Sequence, residues 1–454
     1  MKPKLFGSSG IRGLVNKEIT PTLAQRVGTA VATIHKGGTI VVGRDARISG
    51  PMIEGSLFSG LSSAGADTYS IGLVPTPITA WTVRNLGADA GIEVTASHNP
   101  PEYNGLKIFN QKGMSLTEKE QIEIENILEN DLYQLSPWDG VGTLEPLYPV
   151  DQYIEELILS IDLDIEGKIA CDLFNGATCT VAPPIMNEFS IRAEFINGIP
   201  DGTFPSGNPE PNRESLRRVG KFMKARDIEI GFGFDGDGDR MMPVDSSGNM
   251  VSPDRALASF AAYMVEKNNG GTIVTHVGTS MNIDEMVESE GGNVLRTPVG
   301  DSFITEAMAE SGAVFGGEPV GAWVHPDIHM CPDGILSALK LLEALQDMDT
   351  SLEAFINQAP AYPIKREKIV CPNEKKQPTL GQIKSRYQDT FNNVKSISTV
   401  DGVRLELEEG WILIRPSGTE PLIRITVEAK TDQQVKEYTE KGISLIKKSL
   451  RNTK

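Results

Sequence analysis

The stretch Asp235-Gly236-Asp237-Gly238-Asp239-Arg240 sets three carboxylates among glycines and closes on an arginine. Ahead of it, Ile228-Glu229-Ile230-Gly231-Phe232-Gly233-Phe234 reads as a buried strand, so the acidic loop stands at a strand's carboxyl end. Open α/β sheets bind their ligands at that end. Three carboxylates held so close repel one another unless a hard cation sits between them, and Mg²⁺ prefers oxygen donors of this kind. Asp235, Asp237 and Asp239 are therefore the expected ligands of one divalent ion. A calcium loop and a solvated acidic turn are the competing readings. An EF-hand needs Gly at its sixth position and Glu at its twelfth; Arg240 and Ser246 stand there.

Outward from this loop, short β-rich runs alternate with amphipathic helical patterns. Thr39 to Gly43, Ala90 to Thr95, Lys168 to Leu173, Glu229 to Phe234 and Thr272 to Val277 are the clearest strands. Thr22 to Thr33, Pro51 to Ser63, Thr117 to Glu129 and Asp254 to Lys267 are the clearest helices. The alternation predicts α/β units with mixed, mainly parallel sheets. Three segments, beginning at Ile40, Ile169 and Ile273, each pair a β-run with a glycine-bearing turn, which hints at a threefold repeat. Turn-rich seams near Ser136 to Pro149, Asp245 to Asn249, and Ala359 to Pro363 with the charged run through Lys376 divide the chain. The expected domains are 1–150, 151–250, 251–362 and 363–454.

A formal charge of −18 over 454 residues argues against nucleic acid or an anionic membrane as the main partner. The four cysteines show neither C-x-x-C pairing nor zinc spacing, which fits reduced thiols in the cytoplasm. The first residues lack the apolar core of a signal peptide, and no apolar run is long enough to span a bilayer. A small molecule is the expected partner, and a monomer or homodimer the expected state.

Four further loops carry chemistry. Thr95-Ala96-Ser97-His98-Asn99-Pro100 follows a strand and is by itself a plain turn; beside an acidic metal loop it presents Ser97, a poor nucleophile unless a base or metal assists it. As an acceptor and donor of a phosphoryl group, Ser97 needs Mg²⁺ and fixed positive charge. Lys107, just downstream, is either a surface lysine or a proton-transfer group whose pKa its neighbours depress. Gly316-Gly317-Glu318-Pro319-Val320-Gly321 offers a glutamate able to accept bonds from vicinal hydroxyls, or else is a glycine-rich turn after a strand at Ala313 to Phe315. Arg415-Pro416-Ser417-Gly418-Thr419-Glu420-Pro421, with Arg424 beyond, combines backbone N–H groups, hydroxyls and a guanidinium in the manner of an anion nest, or else is a plain polar turn. Arg12, in Ser8-Ser9-Gly10-Ile11-Arg12-Gly13, matters only if an anionic reaction centre lies near it.

Taken together, these loops resemble the α-D-phosphohexomutase family from end to end. The stretch from Phe6 to Gly13 looks like its opening signature. Thr95 to Pro100 matches its phosphoserine loop, Asp235 to Arg240 its metal loop, Gly317 to Gly321 its sugar loop and Arg415 to Pro421 its phosphate loop. The resemblance implies three related α/β domains and a smaller C-terminal α+β domain around a central cleft. It implies that Ser97 becomes phosphorylated and, with the three aspartates, binds Mg²⁺. Arg12, Arg240, Lys107 and His98 fall at its catalytic positions. Gly300, Asp301, Glu318 and Val320 fall in its sugar-contacting loops, and Arg415, Ser417, Gly418, Thr419 and Arg424 at its phosphate grip. The implied reaction interconverts hexose 6-phosphate and hexose 1-phosphate through a 1,6-bisphosphate.

The sugar loop departs from the common pattern. Many relatives carry Ser two places after the glutamate and His two places later, where this chain has Val320 and Ala322. Its continuation from Trp323 to Gly334 looks like the archaeal-type phosphoglucosamine mutases, which favours glucosamine phosphate over mannose or glucose phosphate. His325 and His329 are candidates to replace the lost contact. A sugar phosphatase and a non-catalytic sugar-phosphate sensor are the alternatives from other classes.

Overall fold

Runs rich in Val, Ile and Phe become the inner strands of the sheets, as their fit to a pleated, buried surface requires. In this computed structural model residues 5–7, 9–165, 167–417 and 420–452 are described, and among them the strands form four sheets. The first contains β1 (Ile11–Leu14), β2 (Thr39–Arg44), β3 (Asp67–Leu73), β4 (Ala90–Val94), β5 (Tyr103–Asn110) and β6 (Leu144–Pro146), in the order β1-β5-β4-β2-β3-β6. The second contains β7 (Lys168–Asp172), β8 (Arg192–Ile196), β9 (Ile230–Phe234) and β10 (Met241–Val244), in the order β10-β9-β7-β8. The third contains β11 (Thr272–His276), β12 (Asn293–Thr297), β13 (Phe315–Gly317) and β14 (Trp323–Val324), in the order β12-β11-β13-β14.

One pattern recurs in all three. A central strand (β2, β7 or β11) pairs in parallel with the next strand on one side and the one after that on the other. That third strand then turns back into an antiparallel partner: β4 into β5, β9 into β10, β13 into β14. The starts at Ile40, Ile169 and Ile273 are the three central strands, so the repeat hinted at in sequence is a repeat of topology. Each hairpin turn carries one of the singled-out loops: Ser97 after β4, the acidic triad after β9, Glu318 after β13.

The fourth sheet, β15 (Ile364–Val370), β16 (Ser396–Ser398), β17 (Val403–Glu406), β18 (Gly410–Pro416) and β19 (Leu422–Ala429), is wholly antiparallel. Helices Asn373–Arg386 and Asp432–Asn452 accompany it. The chain is therefore α/β in three sheets, with a smaller α+β unit at its end. The charged run from Lys365 to Lys376, read as part of a seam, is instead strand β15 and the first turn of a helix. β15 lies at the edge of its sheet, where charged side chains are the usual protection.

A single apolar cluster runs from Val41 and Trp81 through Phe232 and Phe234 to Ile273, Phe315 and Phe355. The last sheet packs on its own core of Ile412, Ile414, Ile425 and Leu445. Among the described residues no helix is long and apolar enough to cross a membrane.

Candidate active site

Ser97 adopts φ +50°, a left-handed conformation that few residues other than glycine hold. Its surroundings enforce it. Thr95 Oγ1 accepts the Ser97 N–H at 2.8 Å. The guanidinium of Arg47, whose side chain is fully buried, donates to the carbonyls of Ser97 and Asn99 at 2.7 Å, Pro100 at 2.7 Å and Tyr103 at 2.9 Å. Asp45, fully buried, pairs with Arg47 at 2.9 Å and accepts from Thr95 Oγ1 at 2.8 Å. Arg47 therefore organises the whole turn. Substitution Arg47→Met should cost about 3–5 kcal/mol, because it strands the buried Asp45 carboxylate; chemical denaturation measures this, and Arg47→Lys should not rescue it because a lysine lacks the planar fork.

The acidic loop meets this turn directly. Ser97 Oγ donates to Asp235 Oδ2 at 2.6 Å, and both residues are fully buried. Glycine at 236 is a steric requirement, since a Cβ there would come within 2.5 Å of the Ser97 carbonyl. Gly238 has φ +74° and its missing Cβ would strike Thr178. The alternation of Asp and Gly thus packs the loop edge-on against its neighbours. Oxygens of Asp235, Asp237 and Asp239 lie within 4.8 Å of one another. Asp237 Oδ1 and Asp239 Oδ1 are buried with no hydrogen-bond partner. Thr76 holds the other oxygen of Asp237 at 2.7 Å. Burial and the charges of Asp237 and Asp239 drive the Asp235 carboxyl well above its usual range. Buried, mutually repelling, unsatisfied oxygens are what a hard divalent cation neutralises, so these residues fit Mg²⁺.

Positive charge surrounds the triad. Lys107, on β5, pairs with Asp239 and Asp301, both at 2.9 Å. Burial alone would lower its pKa, but Asp239 and Asp301 hold it well above the usual lysine value. The depressed pKa expected for proton abstraction is thus absent: Lys107 is an ammonium, because two carboxylates face it. Burial likewise would raise Asp239, yet Lys107 and Arg240 pull it down to about 2. The backbone N–H of Arg240 donates to Asp235 at 3.1 Å. Arg12 sits on β1 opposite Gly105, its Nε buried without a partner. His98 Nδ1 lies 3.2 Å from Ser97 Oγ. Burial, with the charges of Arg240 and Arg12, lowers that imidazole to about 3, so it is neutral.

The third hairpin reaches the same place. Gly316 and Gly317 belong to β13 itself, so the strand ends two residues later than read and only Gly321 (φ +86°) makes the turn. Gly321 O accepts the Met241 N–H at 3.1 Å, which ties this loop to the end of the acidic one. Glu318 accepts from the Gly300 N–H at 3.2 Å. Burial and the nearby Asp301 raise Glu318 to about 7. Val320 stands in the loop, 45 % exposed and with no polar group to offer. His325 and His329 lie elsewhere. His325 is fully buried against Phe260 and Phe315 and shares a hydrogen bond with Ser337. His329, equally enclosed, bonds Asp333, which Tyr153 also contacts. Both rings are packed into the core, which speaks against the expected role of either one as a sugar contact.

Arg415 sits at the end of β18 rather than in a loop, directly opposite Arg424 on β19. Like charges in that register repel. Asp401 offsets the first at 2.6 Å and Glu420 the second at 2.9 Å. Asp401 also accepts from the Val299 N–H at 3.4 Å, bringing this end of the fourth sheet against the Gly300 turn. The Ser417 hydroxyl accepts from the Glu420 N–H at 3.1 Å. Gly418 and Thr419 lie outside the described residues. Asp45, Arg47, Thr76, Asp401 and Lys376, which donates to Ser417 O at 2.6 Å, escaped the sequence reading. Only the Arg44-Asp45-Ala46-Arg47 charge pattern after β2 offered a signal for any of them.

Comparison with known proteins agrees in order and extent. The chain matches the phosphoglucomutase/phosphomannomutase α/β/α domain I over residues 3–134, domain II over 151–248, domain III over 252–362 and the C-terminal domain over 368–442. It is 40% identical to a phosphoglucosamine mutase of Methanocaldococcus jannaschii, covering 98% of this chain and 99% of that one. Against a probable phosphoglucosamine mutase of Methanopyrus kandleri the identity is 39%, covering 98% of each. A solved phosphoglucomutase/phosphomannomutase family protein from Burkholderia thailandensis superposes with a TM-score of 0.89 at 29% identity, covering 99% of this chain and 98% of that one. With all four domains present in sequence order, and that likeness sustained over nearly its whole length, the chain belongs to the phosphoglucomutase/phosphomannomutase family.

Proposed function

We propose that this protein is a phosphoglucosamine mutase, an isomerase that interconverts glucosamine 6-phosphate and glucosamine 1-phosphate through phosphoserine and a 1,6-bisphosphate. One observation carries the chemistry: Ser97 Oγ lies 2.6 Å from Asp235 within the buried acidic triad. The curated relatives at about 40% identity carry the choice of sugar. Phosphomannomutase or phosphoglucomutase activity of the same family is the alternative.

In the first half-reaction a sugar hydroxyl attacks phosphorus on Ser97. The bond from phosphorus to Ser97 Oγ breaks, and the hydroxyl's proton ends on that oxygen. Asp235, Asp237, Asp239 and the phosphorylated Ser97 would hold Mg²⁺, which would supply positive charge to the transferring group. Lys107, Arg240 and Arg12 add fixed cations around the same group. Lys107, as an ammonium, is the proton-carrying group of the site, and His98 stays neutral beside Ser97. Glu318 orients the sugar from Gly300 and Asp301, and Arg415, Ser417, Gly418, Thr419 and Arg424 hold the phosphate that is not reacting. The bisphosphate then turns over and returns its other phosphate to Ser97.

Holding that far phosphate is what separates a mutase from a hydrolase. Arg415→Ala should therefore raise KM about 10- to 100-fold, the worth of a charge-assisted pair. A coupled assay on glucosamine 1-phosphate, run beside glucose and mannose 1-phosphates, reads both this loss and the substrate preference. The four buried thiols are all free, which supports the reading of a reducing compartment such as the cytoplasm. A monomer or a homodimer is the proposed state.

A further inference from the structure

His276 belongs to none of the loops above, yet it closes β11, the central parallel strand of the third sheet, at its carboxyl end. Its tautomer is fixed. Nδ1 lies 2.9 Å from the Gly278 backbone N–H, which can only donate, so Nδ1 accepts and the ring hydrogen sits on Nε2. Burial, with Arg296, Arg415 and Arg404 nearby, lowers the imidazole to about 3, and the ring is neutral. The His276 carbonyl accepts from Thr279 N–H at 3.1 Å and from Arg296 at 3.2 Å, so the backbone beneath the ring is anchored. Gly278 leaves room for the imidazole: a Cβ there would press on it at 3.2 Å.

Nε2 faces Glu318 Oε1 across 3.8 Å. That is too far for a hydrogen bond. A donor and an acceptor are thus held side by side without satisfying each other. A hydroxyl oxygen set to one side of the pair reaches both, accepting from Nε2–H and donating to the carboxylate. The neighbouring side chains of Val320 and Ala322 have no polar atom for this purpose.

We propose that His276 contacts the sugar and helps determine specificity, its Nε2–H donating to one hexose hydroxyl whose hydrogen goes to Glu318. This rests on the sugar-phosphate mutase reading. A site built to satisfy one hydroxyl on both sides penalises a sugar that lacks it or turns it away, because His276 Nε2 is then left without a partner and Glu318 keeps only the Gly300 N–H.

The test is a double cycle on the full-length protein with Mg²⁺. It compares wild type with His276→Ala on glucosamine 1-phosphate and on its 3-deoxy and 4-deoxy analogues, measuring KM, kcat and, by calorimetry, Kd. His276→Ala should raise KM and Kd about 10-fold with kcat little changed, the signature of an interaction equal in ground and transition states. Deleting the contacted hydroxyl should weaken wild type distinctly more than the variant, which keeps only the Glu318 contact to lose, while deletion of the other hydroxyl adds independently. His276→Gln, whose amide N–H reaches a similar point, should recover part of the loss. If alanine does not fold, His276→Asn, which withdraws the Nε2 donor, runs the same cycle. Additive losses at both hydroxyls overturn the proposal. Wild type that binds the sugar phosphate without turning it over sinks the mutase reading, while the Kd cycle still decides His276; no binding at all sinks both.

Discussion

Ser97→Ala is expected to lose at least about 10⁴-fold in turnover, since no other group can carry the phosphoryl between half-reactions. Sugar-phosphate affinity should stay within about threefold, because the phosphate grip and Glu318 do not touch the serine side chain. The fold should survive as well. Arg47 and Thr95 bind backbone atoms of the turn, and alanine removes only the hydroxyl that reaches Asp235. Two measurements separate this from a general defect. Calorimetry with glucosamine 1-phosphate should give near-normal affinity. Intact-mass analysis after incubation with a hexose 1,6-bisphosphate should add one phosphoryl group to wild type and none to the variant. Substantial turnover by the alanine enzyme would remove Ser97 from the mechanism.

Chelation of Mg²⁺ is the second large effect. Charge stabilisation by a bound cation is worth several kcal/mol, so EDTA should reduce turnover by about 10³-fold and excess Mg²⁺ should restore it. Stability offers an independent readout. A ligand that binds only the folded state adds about 2.7 kcal/mol at 100 times its Kd, so the melting temperature should rise with Mg²⁺. Asp237→Asn sharpens the contrast. Asparagine keeps an oxygen for the Thr76 hydroxyl but removes one of three crowded negative charges. In EDTA the variant should melt higher than wild type, because like charges have been relieved. With Mg²⁺ present the order should reverse and activity should stay low. A variant that melts lower than wild type in both conditions would mean that Asp237 serves packing rather than a cation.

Much of this was legible in the residues, for a physical reason. The loops proposed to do the chemistry are continuous stretches whose composition is odd for a surface turn: alternating Asp and Gly, Ser before His-Asn-Pro, Glu between glycines. Strands and helices followed from periodicity because inner strands buried on both faces leave long apolar runs. What escaped was everything held together through space. Arg47 acts on carbonyls 50 residues and more away in sequence, and His276 gains meaning only from Glu318 across the sheet. Ion pairing also reversed one inference, since a lysine flanked by two acids is charged, however buried. His325 and His329 misled because a histidine near a functional loop looks alike in sequence whether it faces a ligand or a phenylalanine.

The recurrence of one hairpin in three sheets has an evolutionary consequence. Three copies of a single joint have been assigned separate tasks, so that phosphoryl transfer, ion capture and sugar choice are edited at different addresses in the gene. Changes in the third copy, for instance at Val320 and Ala322, can retune what is accepted without touching the loops of the other two. Transplanting the turn between β13 and β14 from a relative is the natural first experiment in redirecting substrate choice.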